Sequence, residues 1–325
     1  MPFYLQSLKS LPSRQFQDRM ISVSHKGRRQ ILQVVIILAL SSVAFINISK
    51  IENSIFVRNN HDIGTKFSEP NYKTFELEHC NCSRTLYNVQ EDNSVSFSDT
   101  TCGRDAFNRG SHQKVAGFSF YGNTSSSSHK SKKYFAGIEE NLRLLRSEYG
   151  DGWSMRLYYD LAREDKLTEQ LCQLACTNSH LDLCYVRQLP GSGELHVTDA
   201  SDIFAMTWRF LPPVDPQVEL FLCRDLDSRI SRREVAAVTE WLQSGRAVHS
   251  MRDHPAHNTP LLGAAWGANT VQANIRHKWL RAWQKILKDP LSRASRESKG
   301  PDQELLTKWV WPWGKFMAME HDSYT

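Results

Sequence analysis

The sequence predicts an α/β fold with a mostly parallel central sheet, preceded by a transmembrane helix and a stem. Three observations carry this prediction. From about residue 114 onward, short apolar runs alternate with helical patterns, as parallel strands and their crossover helices require. A long uncharged apolar segment lies near the N-terminus, and all seven cysteines follow it. A chain of 325 residues is long enough for one large domain with these appendages.

The apolar segment ILQVVIILALSSVAFINI, residues 31–48, contains no charged residue. As a helix it would span about 27 Å, near the thickness of a thin bilayer core. Residues 1–30 hold six basic residues and one acidic residue, and the positive-inside rule keeps such a tail in the cytosol. A cleaved signal peptide is the alternative, but its n-region would be too long. We predict a cytosolic basic tail at 1–30, a transmembrane signal-anchor at 31–48, and a single-pass type II protein of the Golgi or ER membrane.

The chain beyond this segment is neutral and begins with an irregular stretch. Of the 40 basic and 35 acidic residues of the protein, the part beyond residue 30 holds 34 of each. Nucleic-acid binding needs a strong basic field, so this balance argues against a nucleic-acid partner. Residues 49–113 mix polar residues and isolated aromatics without a sustained period, which predicts a luminal stem. Sequons at Asn81 and Asn123 agree with a luminal glycoprotein.

The cysteines agree with an oxidising compartment, where disulfides form. They are Cys80, Cys82, Cys102, Cys172, Cys176, Cys184 and Cys223. Their spacing does not give the connectivity. Because their number is odd, one thiol is expected to be free or linked to a second chain, which leaves a disulfide-linked dimer open.

Secondary structure can be assigned in order through the C-terminal body. Strands are predicted at 114–122, 153–160, 181–189 and 218–228, and helices at 134–149, 166–176, 202–211, 231–245 and 275–289. The helix after the fourth strand opens with the capping box Ser231–Glu234 and closes at Gly245. The last helix is basic and amphipathic, which is typical of a helix that packs on a core with a solvated outer face.

Asp225 and Asp227 lie one residue apart where the fourth strand ends. Two carboxylates in this position converge on a hard divalent ion, Mg²⁺ or Mn²⁺, which in turn neutralises a diphosphate. Ligands of open α/β sheets collect at the carboxyl ends of strands. The alternative is a capped turn in which Asp225 pairs with Arg224 or Arg229.

Histidines and glycines supply further candidates. The segment 249–257, HSMRDHPAH, gathers three histidines, but Pro255 interrupts the i, i+4 helical geometry that a zinc hydrolase would need. A ligand-binding loop is favoured, with Arg252 able to hold a phosphate bidentately. In LLGAAWGA, residues 261–268, Gly263 would let the backbone approach a ligand closely, although a buried strand or turn fits equally well.

The order of the motifs FYG, RDLDS, MRDHPAH, GAAWGA, GPDQELL and HDSY resembles a family of type II membrane glycosyltransferase-like proteins with the GT-A fold. The resemblance covers roughly residues 114–325. The Asp-x-Asp pair, the later Asp-Gln element and the late histidine are also similar to the retaining glycogenin-like transferases, which share a DxD motif.

The resemblance implies one GT-A-like, Rossmann-type domain over 114–325 that uses Mn²⁺ or Mg²⁺ and a nucleotide sugar, with a UDP-sugar as the first choice. It implies Asp225, Asp227 and His321 as metal ligands, Asp302 and Gln303 beside the donor sugar, and Tyr121 and Gly122 at the nucleotide pocket. Arg252, Asp253 and Gly263 are added as cofactor-binding candidates. The family continues beyond HDSY, so a C-terminally truncated domain is expected.

These residues lead to one main hypothesis and two rivals. The main one is a metal-dependent, hexosyltransferase-like enzyme that transfers a sugar to a hydroxyl of a glycan, lipid or protein acceptor in the Golgi or ER lumen. The Asp-Gln element favours retention of configuration; an inverting enzyme would need a base such as Asp253 or Asp322. The first rival is a catalytically inactive sugar- or nucleotide-binding scaffold on the same fold. The second is a metal hydrolase built on residues 249–257.

Overall fold

A seven-stranded sheet forms the centre of the protein. The structure is a computed structural model that describes residues 71–121, 129–191, 193–296 and 298–323. Its strands are β1 (Tyr72–Glu76), β2 (Ser83–Tyr87), β3 (Gln113–Phe120), β4 (Trp153–Tyr159), β5 (Leu181–Tyr185), β6 (Val218–Cys223), β7 (Val248–Arg252), β8 (Trp266–Asn269) and β9 (Ala318–Asp322). Strands β1 and β2 form a separate antiparallel hairpin, and the large sheet has the order β5-β4-β3-β6-β8-β7-β9.

Helices cover both faces of this sheet. They are α1 (Arg104–Phe107), α2 (His129–Tyr149), α3 (Lys166–Thr177), α4 (Arg232–Ser244), α5 (Ala273–Lys288), α6 (Pro301–Trp309) and α7 (Trp311–Gly314). Short 3₁₀ helices lie between them, and the one at Ala205–Phe210 stands where an α-helix was expected.

Strand directions confirm the prediction of an α/β fold with a mostly parallel sheet. Strand β3 pairs in parallel with β4 and β6, β4 pairs in parallel with β5, and β7 pairs in parallel with β9. Only β8 runs antiparallel to its neighbours within this sheet. From β3 the chain moves outward to β4 and β5, then returns to place β6 on the other side of β3. This reversal leaves the carboxyl ends of β3 and β6 side by side.

The apolar periods of the helices explain their packing. On α5, residues Ile275, Trp279, Trp283 and Ile286 recur at helical spacing and are buried against one face of the sheet. Helices α2, α3 and α4 cover the opposite face. Half of the capping box predicted for α4 is present: the Ser231 hydroxyl accepts from the Glu234 backbone N–H at 3.2 Å. The Glu234 carboxylate instead accepts from Arg224 at 2.7 Å and from the Tyr149 hydroxyl at 3.1 Å.

Two strands of the sheet were not predicted. Strand β7 stands where a ligand-binding loop was expected, and β9 lies in the C-terminal stretch that received no assignment. The reason is visible on β7, where His249 and Ser250 are buried although both are polar. A strand with buried polar side chains lacks the apolar run or alternation by which strands are recognised in a sequence.

Disulfides attach residues 71–112 to the rest of the domain. The pairs are Cys80–Cys172, Cys82–Cys176 and Cys102–Cys184. The seventh cysteine, Cys223, is free and buried, so it is not placed to link two chains, and the disulfide-linked dimer is not supported. The division into a stem at 49–113 and a catalytic domain at 114–325 stays a prediction.

Two buried arginines tie the same region to the sheet. Arg84 of the hairpin donates to Asp182 of β5 at 2.9 Å. Arg156 of β4 donates to Asp215 at 2.7 Å, and the backbone N–H of Thr101 donates to the same carboxylate at 2.9 Å. All four charged side chains are almost completely buried. Breaking such a pair leaves a buried charge alone, which costs several kcal/mol, so each pair fixes its two elements together.

The transmembrane expectation is corrected by the structure. Among the described residues, no helix is long and apolar enough to cross a membrane. The longest helix in that part, α2, has 21 residues but carries charged residues on successive turns, among them Lys133, Glu139 and Arg143. Residues 1–48, the predicted tail and signal-anchor, lie outside the described residues. The type II arrangement, the membrane partner and the Golgi or ER membrane location are therefore withdrawn.

Loss of the fully buried disulfide Cys102–Cys184 should destabilise the protein more than loss of the half-buried disulfide Cys80–Cys172. We expect Cys102→Ser/Cys184→Ser to lower the free energy of unfolding by about 2–5 kcal/mol, with a further loss from two buried hydroxyls. The matched control is Cys80→Ser/Cys172→Ser, because the two bridges have similar sequence separations of 82 and 92 residues. Urea denaturation measures both variants. Equal losses would show that burial of Cys102–Cys184 contributes nothing.

Candidate functional site

The carboxyl ends of β3 and β6 form the candidate site. Tyr121 follows β3, Asp225 follows β6, and the register pairs Gly117 with Cys223 just before both ends. Ligands of open α/β sheets bind where the strand order reverses, because the loops leaving the two strands diverge there and open a crevice. We call the residues at this place the switch-point site; they are Tyr121, Lys133, Arg209, Asp225, Asp227 and Asp302.

A buried arginine joins two carboxylates of this site. The guanidinium of Arg209 donates through Nη1 to Asp225 Oδ1, and through Nη2 to Asp302 Oδ2 at 3.0 Å. The backbone N–H of Arg209 donates to the Ser119 hydroxyl of β3 at 3.2 Å, which anchors the 3₁₀ helix that carries it. One side chain therefore connects the end of β6 with the start of α6.

Asp302 lies behind this arginine. Its side chain is only 3% exposed, against 44% for that of Asp225, so a ligand can reach Asp225 and not Asp302. Burial raises the pKa of Asp302, although the Arg209 guanidinium acts in the opposite direction. Gly263 makes the contact possible, since a Cβ atom there would lie 1.8 Å from Asp302 Oδ2.

The exposed part of the site carries charges of both signs. Asp227 is 37% exposed and pairs with Lys133 of α2 at 3.3 Å. Tyr121 is half-buried with its ring edge-on to Trp208, and burial raises the pKa of its phenol to about 12, so the phenol stays protonated at neutral pH. A ligand here would meet Asp225, Asp227, Lys133 and the Tyr121 phenol.

Asp225 pairs with neither Arg224 nor Arg229 among the described residues, so the capped turn considered as an alternative is not formed. Arg224 pairs with Glu234 at 2.7 Å instead, and Arg229 donates to the backbone carbonyl of Leu226 at 2.7 Å. The partner of Asp225 is Arg209, which lies 16 residues earlier in the sequence, on the 3₁₀ helix at Ala205–Phe210.

His321 is not brought to the aspartates. Its Nδ1 lies 3.0 Å from His249 Nε2, and its Nε2 lies 3.2 Å from Glu240 Oε2. Strands β8 and β7 separate β9 from β6, which at the usual spacing places the two strands about 14 Å apart. Among the described residues, no three or more His, Cys, Asp or Glu side chains are grouped so that they could hold a metal ion. The donor set present does not fit the predicted three-ligand metal site.

The other predicted residues are engaged elsewhere or not described. Arg252 donates to Asp322 at 2.9 Å and to Glu320 at 2.7 Å, and so ties β7 to β9. Asp253 accepts from Arg233 at 2.7 Å. The Gln303 side chain accepts from the Thr259 hydroxyl at 3.1 Å. Gly122 lies outside the described residues.

Sequence reasoning missed the two basic residues of the site. Arg209 is the one charged residue of the run IFAMTWRFL, residues 203–211, and a single charge inside an otherwise apolar run indicates a buried ion pair. Lys133 belongs to the polar stretch before α2, where one lysine among several gives no such signal. Only the packing of α2 beside the end of β6 selects it.

Gly263→Ala should separate Asp302 from Arg209. Because the added Cβ would lie 1.8 Å from Asp302 Oδ2, the carboxylate or the backbone must move. We expect a loss of about 2–5 kcal/mol in the free energy of unfolding. Gly152→Ala is the control, since no atom of the described part of the chain lies within 4 Å of a Cβ atom there. If urea denaturation gave the two variants the same stability, the close approach at Gly263 would be contradicted.

His249 should make the protein sensitive to acid. Burial first, and then the nearby Arg224 and His321, lower the pKa of His249 from 6.5 to about 3. Because the unfolded state binds a proton more readily at His249 than the folded state does, protonation favours unfolding. The free energy of unfolding therefore has its full value above pH 6.5 and falls as the pH drops from 6.5 towards 3.

The measurement is urea unfolding of wild type and His249→Phe between pH 7 and 4. Phenylalanine keeps an aromatic ring against Trp241, on which His249 stacks, but does not titrate. The wild type should lose up to about 1.4 kcal/mol per pH unit more than the variant. Parallel pH profiles would show that His249 is not the responsible group.

No family model matches the sequence, and no curated protein matches it. Among solved structures, the fold is similar to that of residues 1–349 of TarS from S. aureus, with 11% sequence identity and a TM-score of 0.33. The match covers 61% of this chain and 55% of that chain, so it spans about half the length of the TarS fragment. At this TM-score the similarity carries no conclusion about fold family or activity.

Proposed function

We propose that this protein is a glycosyltransferase that binds a nucleotide sugar at the switch-point site and transfers the sugar to an acceptor hydroxyl. One observation carries the proposal: the strand order reverses where buried Arg209 holds Asp225 and Asp302. A buried charge is costly, and its position at the place where α/β sheets bind ligands favours a functional role. The order of motifs from FYG to HDSY supports the sugar-transfer chemistry.

The proposed roles follow from which side chains a ligand can reach. Tyr121 borders the nucleotide, and Asp225 is the carboxylate that faces the donor, since it is the more exposed of the two that Arg209 holds. Asp302 acts through Arg209, which it keeps in position. The placement of Gln303 beside the donor sugar, and with it the retention of configuration, stays a prediction.

In the transfer, the bond between the anomeric carbon and the diphosphate oxygen breaks, and the anomeric carbon bonds to the acceptor oxygen. The acceptor proton passes to a base, and the nucleoside diphosphate leaves. Positive charge near the diphosphate stabilises this leaving group as its charge develops. No step is assigned to a divalent ion, because Asp225, Asp227 and His321 do not form one ligand set. The acceptor is a hydroxyl of a glycan, a lipid or a protein.

A screen of nucleotide sugars tests this function. The purified protein is titrated with UDP-, GDP- and CDP-sugars by calorimetry, and release of free nucleoside diphosphate is followed in parallel. We expect one of them to bind, and Asp225→Asn to weaken binding or turnover by at least about tenfold, because a charge-assisted contact is lost. Asp151→Asn is the matched control. The Asp151 side chain is 83% exposed and pairs with Arg146, near the C-terminal end of α2.

The outcomes separate the candidate functions. Binding with nucleotide release supports the transferase. Binding without release under any condition favours the catalytically inactive scaffold on the same fold. No binding of any nucleotide sugar, or equal effects of the Asp225 and Asp151 variants, would contradict the assignment of the site.

A further inference from the structure

The two aspartates that the sequence predicts as metal ligands each have a basic partner. Asp225 accepts from Arg209, and Asp227 pairs with Lys133 at 3.3 Å. His321, the third predicted ligand, is hydrogen-bonded to His249 and lies near Glu240. Each of the three side chains is thus engaged with protein groups, and the two aspartates are engaged with cations.

Arg209 is a permanent cation in a buried position. A guanidinium does not lose its proton in proteins, and the side chain of Arg209 is only 4% exposed. Its Nη2 is held by Asp302, and its Nε has no hydrogen-bond partner among the described residues. A divalent ion that took Asp225 would leave this buried charge with one carboxylate fewer. Loss of one partner of a buried pair is costly enough to weaken the binding of the ion by about a hundredfold or more.

The charges of the site are also nearly balanced without an ion. The three carboxylates at 225, 227 and 302 face the cations of Arg209 and Lys133. The remaining charge of about one negative unit attracts a divalent cation less strongly than three unpaired carboxylates would. The pair between Lys133 and Asp227 is exposed, and exposed pairs exchange partners at little cost, so Lys133 can turn towards an incoming diphosphate.

We propose that Arg209 and Lys133 take the place of a divalent ion at the switch-point site, so that the site binds a nucleoside diphosphate group without a metal. Arg209 holds Asp225 and Asp302 in position, and Lys133 supplies the accessible positive charge. This inference rests on the proposed function for the identity of the ligand, but its statement about the aspartates is independent of that function.

The first experiment measures Mn²⁺ binding alone, from the EPR signal of free Mn²⁺ in a titration of the purified protein. We expect the wild type to bind with a Kd of about 1 mM or weaker. Arg209→Gln frees Asp225 and should tighten binding by at least about tenfold. A wild-type Kd in the micromolar range that is lost in Asp225→Asn would overturn the proposal.

A second variant, Lys133→Gln, keeps the test decisive if Arg209→Gln fails to fold. Lys133→Gln changes an exposed residue and should tighten Mn²⁺ binding by about two- to fivefold, since it frees Asp227. Its matched control is Lys132→Gln, the neighbouring exposed lysine on the same helix, which should leave the Kd unchanged. Equal Kd values for the Lys133 and Lys132 variants would contradict the role of Lys133.

The third experiment tests whether nucleotide binding needs a divalent ion. Calorimetric titration with UDP, GDP and CDP is carried out in EDTA and again with Mn²⁺. We expect the Kd of the nucleotide that binds to agree within about threefold between the two conditions. Binding only with Mn²⁺ would overturn the inference and leave the proposed function standing. Binding in neither condition would count against the proposed function, whereas the Mn²⁺ titration alone would still decide the inference.

Discussion

The buried positive charge of Arg209 is the interaction on which the candidate site depends. It joins the end of β6 to the start of α6, and the 3₁₀ helix that carries it is anchored on β3. Close backbone approach makes this arrangement possible: a Cβ atom at Gly117 would lie 2.7 Å from the carbonyl oxygen of Arg209, and Gly263 leaves room for Asp302. Because a guanidinium keeps its charge at all pH values at which proteins fold, the positive side of this connection does not titrate.

Buried arginines serve the same purpose elsewhere in the fold. Arg84 and Arg156 connect residues 71–112 to the large sheet, and Arg224 connects the end of β6 to α4. A planar guanidinium with several donors can satisfy a carboxylate and nearby carbonyls together, which offsets the cost of burying its charge. What distinguishes the pair at the switch-point site is that Asp225 remains almost half exposed. The same type of contact is therefore structural at the other places and accessible to a ligand here.

The part of the fold that could be predicted is the part whose residues follow a regular apolar period. Strands β3 to β6 and helices α2 to α5 have such periods, together with end signals such as Ser231 and Gly245, and the structure contains them near the expected positions. Strands β7 and β9 could not be predicted in this way, since their register depends on partners such as His249 and His321 that are remote in the sequence. The membrane-spanning expectation rested on composition alone, and no helix in the described part of the chain bears it out.

The sequence by itself determined the α/β layers, the position of Asp225 and Asp227 at a strand end, and the presence of cysteines that can form disulfides. These are local properties, because apolar period, capping residues and residue type are properties of neighbouring positions. Only the tertiary structure decided which charges meet: Arg209 with Asp225 and Asp302, Lys133 with Asp227, and His321 with His249. The physical reason is that an ion pair or a hydrogen bond is set by distance in space, and the fold brings together these pairs although their members lie 16 to 94 positions apart in the chain.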